Sequence, residues 1–448
     1  MAIKALLISY NFPPLMRAGS LRTAAWFKHF SDEIDLTVVT RKWADNKTYQ
    51  WNNYYDEDAG ENETEIVHAN KKIVRVANKH NWFYKFKNSR FARTTKLNKL
   101  CAVIEVFLKW TRLHSFENER GLYFAAKELM LKDKYDLVLV SGEPFVSFKY
   151  AYQLHRKFGT PYILDYRDPW IYNVFRRSGN KFGQIHLEKR RERLFVKNAQ
   201  FVTTISPKNV GLIQKNLTRE VHDKFVIIPN GLDDALLEMT ANRKQFQTGK
   251  EQFVMTFIGT LYPQHNVHWL LKSIDEIIEN QEFTIHPVVR FVGSMNSCPP
   301  QQHSAIEDFA KKHPEHIQIL PQMPQSEAWA QMFQSDLLIK FNAFAQEENH
   351  FGKKLYEYAA SGKLVLSINH NAEIPKKSPF FEHREFQIFC GSEADVKSEL
   401  KLLLAYKNAN GQPKMNDIDF SDLGLLTNSE ITKQLELLIQ KTAESKHV

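Results

Sequence analysis

The sequence feature that most limits the possible folds of this 448-residue chain is an alternation of short apolar runs with helical stretches. This alternation occurs in two separate series. The first series starts with the apolar run at residues 3–9, and the second starts at residues 253–258. Apolar strands that lack strict polar alternation and are separated by helices are typical of a parallel sheet covered on both faces. The sequence therefore predicts an α/β protein with two Rossmann-like, doubly wound parallel-sheet domains that face each other across a cleft.

The boundary between the two series lies at a turn. Pro229, Asn230 and Gly231 follow the last apolar run of the first series, and this combination favours a turn. We place an N-terminal domain at residues 1–235 and a second domain at residues 236–425. Residues 426–448 are predicted to form a helix and tail that could cross back to the first domain.

Composition narrows the class of protein. Hydrophobic residues make up 43% and charged residues 25%, which is typical of a globular chain. The three cysteines, Cys101, Cys298 and Cys390, lack the close pairing of a zinc or redox motif and fit a reducing cytoplasm. The sequence contains no run of about 18 apolar residues, and the first apolar run lacks a cleavage site. We expect a cytoplasmic protein that has no membrane-spanning segment.

The net charge of +9 is concentrated in one region. Residues 71–112 contain twelve Lys or Arg residues, several aromatic residues and a single acid, Glu105, and we interpret about 49–113 as an insertion in the first domain. Cations mixed with amphipathic rings suit an anionic membrane surface, so peripheral contact with the membrane is predicted. The same mixture could bind RNA, which we disfavour. The alternative is a solvated insertion whose aromatic residues pack on the domain.

The segment at residues 350–366 is the most informative motif. Gly352 opens a predicted helix, and the exposed amide groups of such a helix start, together with Lys353 and Lys354, could hold a diphosphate. Glu357 lies one turn further along and could accept hydrogen bonds from ribose hydroxyls. The alternative is that these Lys and Glu side chains simply face solvent.

This segment resembles the retaining GT-B glycosyltransferases of family 4, whose corresponding helix has the form Pro-x-Lys-Leu-x-Glu-Tyr-Leu-Ala-x-Gly-Lys-Pro-Val. The matching residues include Lys354, Leu355, Glu357, Tyr358, Gly362, Lys363 and Val365. Three positions depart from the family: Gly352 and Leu364 each replace a Pro, and Asn349 stands where the family carries the first of two glutamates. That glutamate contacts the transferred sugar, so the resemblance supports diphosphate and ribose binding more than sugar recognition.

Two further segments of the second domain fit the same resemblance. Phe257-Ile-Gly-Thr-Leu-Tyr262 is similar to the family's phosphate loop, and Phe291-Val-Gly293 with Leu320-Pro-Gln-Met-Pro324 falls where the family holds the nucleobase. The cations that relatives carry a few residues after the phosphate loop are missing at residues 263–266. The resemblance implies a donor-binding set that consists of Gly259, Thr260, Gly293, Met323, Gly352, Lys353, Lys354, Leu355 and Glu357.

The first domain carries three motifs in the order that the family has them. Tyr10-Asn-Phe-Pro-Pro14 followed by Arg17-Ala-Gly-Ser20 resembles the loop over the phosphates and the acceptor. Ser141-Gly-Glu-Pro144 resembles a Ser-x-Pro-Pro loop, and Asp165-Tyr-Arg-Asp-Pro-Trp170 resembles an Asp-Phe-Arg-Asp-Pro-Trp variant of the N-domain motif. The resemblance implies an acceptor and phosphate loop with Gly19, Ser20 and Asp165, and the catalytic candidates Asp168, Arg167 and Glu143.

Arg167 and Asp168 replace a His-Asp pair of many relatives, in which the histidine binds the transferred sugar. Charged groups at a strand end need mutual pairing or a ligand. An Arg-Asp pair that only braces the loop is the alternative to a catalytic role.

The resemblance, which covers residues 10–368 apart from the basic region, implies sugar transfer from a UDP- or GDP-sugar to a glycan or lipid-linked glycan. We expect a retaining enzyme of bacterial surface polysaccharide biosynthesis at the inner face of the cell membrane. The seventeen histidines lack the paired spacing of a metalloprotease helix, and we predict a metal-independent reaction without cofactors. Two alternatives stay open: a nucleotide-sugar epimerase that uses Glu143 and Asp168, and a non-catalytic nucleotide-binding partner.

Overall fold

A computed structural model describes most of the chain as two compact units. The first unit comprises Met1–Gly231 with Asn428–Val448, and the second comprises Leu232–Thr427. The described residues are 2–15, 18–43, 61–94, 97–108, 117–172, 184–246, 249–293, 295, 298–342, 353–369, 386–415 and 426–444.

The first unit contains an eight-stranded sheet with the order β3-β4-β2-β1-β5-β6-β7-β8. Its strands are β1 Ile3–Ser9, β2 Ile34–Arg41, β3 Glu63–His68, β4 Lys71–Val76, β5 Leu137–Ser141, β6 Tyr162–Tyr166, β7 Phe201–Thr204 and β8 Phe225–Ile227. All neighbouring strands are parallel except β3, which runs antiparallel to β4. The central strands have no exposed surface at residues such as Leu6 and Val138, and burying each such side chain stabilises the fold by about 1.5–3 kcal/mol.

Helices connect these strands. They are α1 Ala18–His29, α2 Trp82–Asn88, α3 Arg90–Thr94, α4 Leu97–Leu108, α5 Arg120–Lys132, α6 Val146–Phe158, α7 Gln184–Asn198 and α8 Pro207–Gln214, with a short 3-10 helix at Arg219–Lys224. Local sequence explains several ends: Ser206 caps α8, where Pro207 takes the first position, and Gly159 ends α6 in the left-handed conformation.

Part of the region that we interpreted as an insertion belongs to the main sheet, which corrects that interpretation. β4 pairs in parallel with β2, and Lys71, Ile73, Val74 and Val76 are buried. Lys71 donates to the carbonyl of Phe30 at 2.8 Å, and burial lowers its pKa. The sequence did not indicate this strand, because it is rich in lysine and arginine. A buried lysine that donates to backbone carbonyls cannot be told from a solvent-facing lysine by sequence alone.

The second unit contains a six-stranded parallel sheet with the order β11-β10-β9-β12-β13-β14. This is the order 3-2-1-4-5-6 of doubly wound dinucleotide-binding sheets. The strands are β9 Gln252–Ile258, β10 His286–Val292, β11 Ile317–Leu320, β12 Leu337–Asn342, β13 Leu364–Asn369 and β14 Gln387–Cys390. The helices are α9 Asp234–Ala241, α10 Val267–Glu279, α11 Pro300–Lys312, α12 Gln325–Phe333, α13 Lys353–Ala360 and α14 Glu393–Asn410, with 3-10 helices at Arg243–Gln245 and Pro314–His316. Two parallel-sheet α/β units were predicted, and this part of the fold class is confirmed.

The last helix, α15 Asn428–Glu444, returns the chain to the first unit. It contacts α1, and Gln440 donates to Glu33 at 3.1 Å. Glu436 accepts hydrogen bonds from the backbone amide and the hydroxyl of Ser31. A helix that follows the second unit in sequence therefore completes the packing of the first.

Candidate functional site

Both units have a point at which the order of strands along the sheet reverses. In the first unit this point lies between β1 and β5, and in the second it lies between β9 and β12. Ligands of doubly wound sheets bind beyond the carboxyl ends of the strands at such points. The loops after β1, β5 and β9 are described; residues 343–352, which follow β12 and include Asn349 and Gly352, lie outside the described residues.

In the first unit, three of the predicted residues form one ion-paired cluster. Nη2 of Arg167 lies 3.2 Å from Oε2 of Glu143 and 2.9 Å from Oδ2 of Asp168. Burial alone would lower the pKa of Arg167, but the charges of Asp168 and Glu143 raise it above its ordinary value. Both carboxylates keep about a third of their side-chain surface exposed. The cluster thus presents two partly exposed carboxylates that are held by one fixed cation.

Asparagine side chains fasten the loops that carry this cluster. Asn11, after β1, donates to the carbonyl of Glu143 at 3.0 Å, and Asn209 of α8 donates to the carbonyl of Arg167 at 3.0 Å. Neither asparagine was among the predicted site residues, although Asn11 belongs to the motif Tyr10–Pro14. The available signal was their position: Asn11 lies in the loop after β1, and Asn209 lies in the first turn of α8, the helix that follows β7.

Gly19 and Ser20 lie beneath the surface. A methyl group on Gly19 would lie 2.3 Å from Nη1 of Arg167. The guanidinium therefore occupies the space beside Gly19, where the resemblance predicted a phosphate. Ser20 has no exposed surface, and within the described part of the chain its hydroxyl has no hydrogen-bonding partner. A buried unsatisfied hydroxyl costs about 1–3 kcal/mol.

Asp165 is fully buried near the end of β6 and accepts hydrogen bonds from several neighbouring elements. Arg22 of α1 donates to it through Nη2 at 2.9 Å and Nε at 3.3 Å. Ser141 and Thr203 donate their hydroxyls at 3.0 Å and 2.8 Å. Arg22 also donates to the carbonyls of Ile228 and Pro229, at 2.8 Å each. The pair therefore joins α1 to the ends of β5, β6 and β7 and to the chain after β8, below the exposed cluster.

In the second unit, three predicted donor residues meet at one point. Gly259 follows β9 with φ +126°, and Gly293 follows β10 with φ +142°, a region that favours glycine. A methyl group on Gly259 would lie 2.6 Å from Nζ of Lys354, and one on Gly293 would lie 2.7 Å from the carbonyl oxygen of Gly259. Gly259 thus leaves room for the lysine, and Gly293 leaves room for the Gly259 carbonyl, at the carboxyl ends of β9 and β10.

The neighbours of Lys354 include an aromatic ring and a histidine. Its Nζ lies 4.6 Å from the centroid of the Phe257 ring, a cation–π distance. Burial, and next the charges of Lys354 and Lys340, lower the pKa of His265 to about 3. The amide of Tyr262 donates to Nδ1 of His265 at 3.2 Å, which fits a neutral ring. His265 is therefore uncharged at neutral pH, and Lys354 lies close to the loop that contains it.

Glu357 is held by a residue that the sequence analysis did not name. Nε2 of Gln325 donates to Oε1 of Glu357 at 2.8 Å. Gln325 begins α12, directly after the loop that contains the half-buried Met323. The hydroxyl of Tyr358 accepts from the amide of Ile258 at 3.2 Å and fastens α13 to the end of β9.

The other predicted donor residues are placed differently. Leu355 is buried in an apolar cluster with Leu236, Trp329 and Phe333, so its side chain belongs to the core. Thr260 is half-buried beside Gly259. α13 begins at Lys353, whose side chain lies outside the described part of the chain.

Among the described residues, no group of three His, Cys, Asp or Glu side chains is arranged to hold a metal ion, and no helix is both long and apolar enough to cross a bilayer. The sequence contains Asp-x-Asp at Asp56–Asp58 and Asp417–Asp419, both outside the described ranges. Metal independence therefore stays a prediction.

Known structures share this fold over nearly the whole chain. A sucrose-phosphate synthase from Thermosynechococcus elongatus is 13% identical with a TM-score of 0.60, covering 99% of this chain and 100% of that one. An α,α-trehalose-phosphate synthase from Burkholderia vietnamiensis is 12% identical with a TM-score of 0.56, at 99% and 100% coverage. Anabaena HepE, solved in complex with UDP-glucose, is 14% identical with a TM-score of 0.55, at 99% and 100% coverage. No protein-family model and no curated protein sequence matches the chain.

These similarities define the class of fold. The chain has the GT-B fold of nucleotide-sugar glycosyltransferases, with two Rossmann-like units. A UDP-GlcNAc 2-epimerase from Methanocaldococcus jannaschii also shares the fold, at 11% identity and a TM-score of 0.50. At these identities the comparisons establish architecture, and the activity has to be argued from the site.

Proposed function

We propose that the chain is a glycosyltransferase that moves a sugar from a UDP- or GDP-sugar to a glycan or lipid-linked glycan acceptor. The observation that carries this proposal is the meeting of Gly259, Gly293 and Lys354 at the carboxyl ends of β9 and β10. A glycine that leaves room for a lysine, beside a second glycine that allows close backbone approach, suits a diphosphate. The complex of HepE with UDP-glucose supports this class of donor.

The donor is bound by residues of the second unit. Lys354 neutralises the diphosphate, Glu357 accepts hydrogen bonds from the ribose, and Gln325 fixes the orientation of Glu357. Gly352, Lys353 and Thr260 add amide and side-chain contacts to the phosphates, and the loop with Met323 borders the base. Because the charge on the leaving diphosphate is stabilised by a lysine and a helix start, the reaction proceeds without a metal ion.

The sugar and the acceptor are oriented by residues of the first unit. Glu143 and Asp168 accept hydrogen bonds from hydroxyl groups, and Arg167 holds both carboxylates in place. The acceptor belongs to bacterial surface polysaccharide biosynthesis in the cytoplasm, and the product retains the anomeric configuration of the donor. Asp165 lies too deep to touch substrate and supports these loops from below.

Thermal unfolding of the full chain with a panel of nucleotides tests the donor class. UDP or GDP and the corresponding sugars should raise the melting temperature. If no nucleotide stabilises protein that is shown to be folded, the proposed donor site is wrong. An NMR spectrum of the product then determines whether the anomeric configuration is retained.

An epimerase is the second candidate, because the fold is shared with a UDP-GlcNAc 2-epimerase. Epimerisation would require Glu143 and Asp168 to exchange protons with the sugar, whereas both carboxylates contact the same guanidinium. The ion pairs favour transfer. Incubation with the donor alone distinguishes an epimerase from a transferase, because an epimerase converts the donor without an acceptor. A non-catalytic binding partner leaves the donor unchanged whether or not an acceptor is present.

A further inference from the structure

Three consecutive helices of the first unit, α2, α3 and α4, form a small subdomain. They contact one another pairwise and bury Phe83, Ala92 and Cys101. The side chain of Asn81 caps α2 by accepting from the amide of Tyr84 at 2.7 Å. The local sequence thus specifies helices, and their buried residues hold them together.

The outward faces of these helices are apolar. Of the sixteen large hydrophobic side chains that are exposed in the described residues, six lie within residues 82–108. In α4 they follow the spacing i, i+4, i+7, which places them on one face, and in α2 they follow i, i+4. The six are Trp82 (66% exposed), Phe86 (41%), Phe91 (63%), Leu100 (55%), Ile104 (36%) and Phe107 (50%).

These helices also carry exposed cations. Lys85, Arg90 and Lys99 are exposed on the same three helices. The single acid of the region, Glu105, is paired with Lys87. Lys71 lies in the sheet, and Arg75 donates to the carbonyl of Pro13 at 2.6 Å, so these two cations are not part of the helical surface. We call the exposed side chains of these three helices the α2–α4 surface.

We propose that the α2–α4 surface docks the protein on an anionic lipid bilayer. Its tryptophan, phenylalanine and aliphatic side chains enter the boundary between headgroups and acyl chains, and its lysines and arginine contact lipid phosphates. This proposal stands on residues that the donor site does not use, and it is independent of the transferase activity.

Two other occupants fit the α2–α4 surface less well. A single-stranded RNA would stack its bases on the aromatic rings, but the aliphatic stripe of Leu100 and Ile104 offers it neither stacking nor hydrogen bonds. A second copy of the chain would place like charges against one another, since a two-fold interface brings the same patch together. A bilayer accepts both the aliphatic stripe and the cations.

Sedimentation of the full chain with vesicles tests the proposal. The protein should bind phosphatidylcholine vesicles that contain phosphatidylglycerol and bind pure phosphatidylcholine vesicles more weakly. Each cation near an anionic surface strengthens binding by about fivefold, so Lys85→Glu with Lys99→Glu should weaken binding by at least about 25-fold. Leu100→Ser, Ile104→Ser and Phe107→Ser together should weaken it by at least about tenfold.

Matched variants elsewhere serve as controls. Leu402→Ser with Leu437→Ser removes side chains of similar exposure (61% and 57%), and Lys132→Glu with Lys311→Glu reverses exposed charges. These variants should bind vesicles like the parent protein, and all variants should keep the parent melting temperature.

Three results would overturn the proposal. The first is vesicle binding that the helix variants leave unchanged. The second is a parent protein that binds poly-uridine RNA but not vesicles. The third is a dimer, seen by analytical ultracentrifugation, that the triple serine variant converts to monomer while vesicle binding persists.

Discussion

The two switch points of this molecule share a topology and differ in their electrostatics. In the first unit, Arg167 fills the space beside Gly19 and pairs with two carboxylates. In the second unit, the corresponding space beside Gly259 receives Lys354 above an aromatic ring, next to a neutral His265. The first point carries two carboxylates that an arginine holds, and the second carries a lysine beside a glycine. The same βαβ architecture thus supports two halves of one proposed reaction.

Each unit also contains a buried ion pair, and these pairs give the largest expected effects. Asp165 pairs with Arg22 at 2.9 Å in the first unit, and Asp336 pairs with Lys407 at 2.8 Å in the second. Asp165→Asn and Asp336→Asn should each lower the free energy of unfolding by about 3–5 kcal/mol, because each leaves a buried cation without its charge partner.

Urea unfolding measures the loss of stability in both variants. Activity assays then distinguish the two variants from each other. Asp165 lies beneath the cluster of Glu143 and Arg167, so its variant should also slow sugar transfer. Asp336 accepts from the amide of Val254 near the start of β9, so its folded variant should keep the nucleotide affinity. Equal activity losses in the two variants would contradict the assigned difference.

The two units should respond to pH in opposite directions. Burial raises the pKa of Glu192 in the first unit to about 8 from an ordinary value of 4.5, so the native state holds a proton that the unfolded chain releases. Its contribution to stability is present below pH 4.5 and is lost as the pH rises towards 8. Burial and nearby lysines lower the pKa of His265 from 6.5 to about 3. Its contribution is present above pH 6.5 and is lost as the pH falls towards 3.

Unfolding across pH 3–9 checks this contrast. Glu192→Gln should flatten the alkaline side of the stability profile, and His265→Asn should flatten the acidic side. An alkaline slope that Glu192→Gln does not change would show that its carboxyl group is ionised in the folded protein.

The arrangement around Lys354 was largely predictable, and the arrangement around Arg167 was not. Gly259 and Gly293 follow β9 and β10, and Lys354 lies in the first turn of α13. The carboxyl ends of parallel strands and the starts of the helices meet at one edge of the sheet, so the strand pattern brings the three residues together. The pairing of Arg22 with Asp165 joins residues 143 positions apart, and the contact of Gly19 with Arg167 depends on side-chain packing. Strand periodicity contains no information on such contacts.

Two other differences have similar causes. β4 was missed because Lys71 and Arg75 resemble a solvated charge run, although both cap backbone carbonyls. Leu355 was assigned to the donor because of the resemblance, whereas its position on α13 turns its side chain into the core.

Arg167→Lys should have an intermediate effect. A lysine keeps the charge but loses the planar fork that contacts both Glu143 and Asp168, so the two carboxylates are no longer held together. We expect sugar transfer to slow by about tenfold, as for a loss of about 1.4 kcal/mol, with an unchanged nucleotide affinity. Release of the nucleoside diphosphate from the donor measures the rate. A weaker nucleotide affinity with an unchanged rate of transfer would contradict the proposal that Arg167 acts on the acceptor side of the reaction.

Gln325→Ala should have the smallest effect. It removes one hydrogen bond to Glu357, which is worth about 0.5–1.5 kcal/mol, and should weaken nucleotide binding by about two- to tenfold. The effect should vanish in a Glu357→Ala background, which a double-mutant cycle measures. Additive losses would show that Gln325 acts apart from Glu357.

Calorimetric titration of the parent protein and Lys354→Met with UDP and GDP tests the central claim most directly. Lys311→Met, a change at an exposed lysine of α11, serves as the matched control. If Lys354 contacts the diphosphate, its loss should weaken binding by about 1.5–3 kcal/mol, the worth of a charge-assisted hydrogen bond, while the control binds like the parent. Equal nucleotide affinity in all three proteins would contradict a sugar-nucleotide site between Gly259 and Lys354.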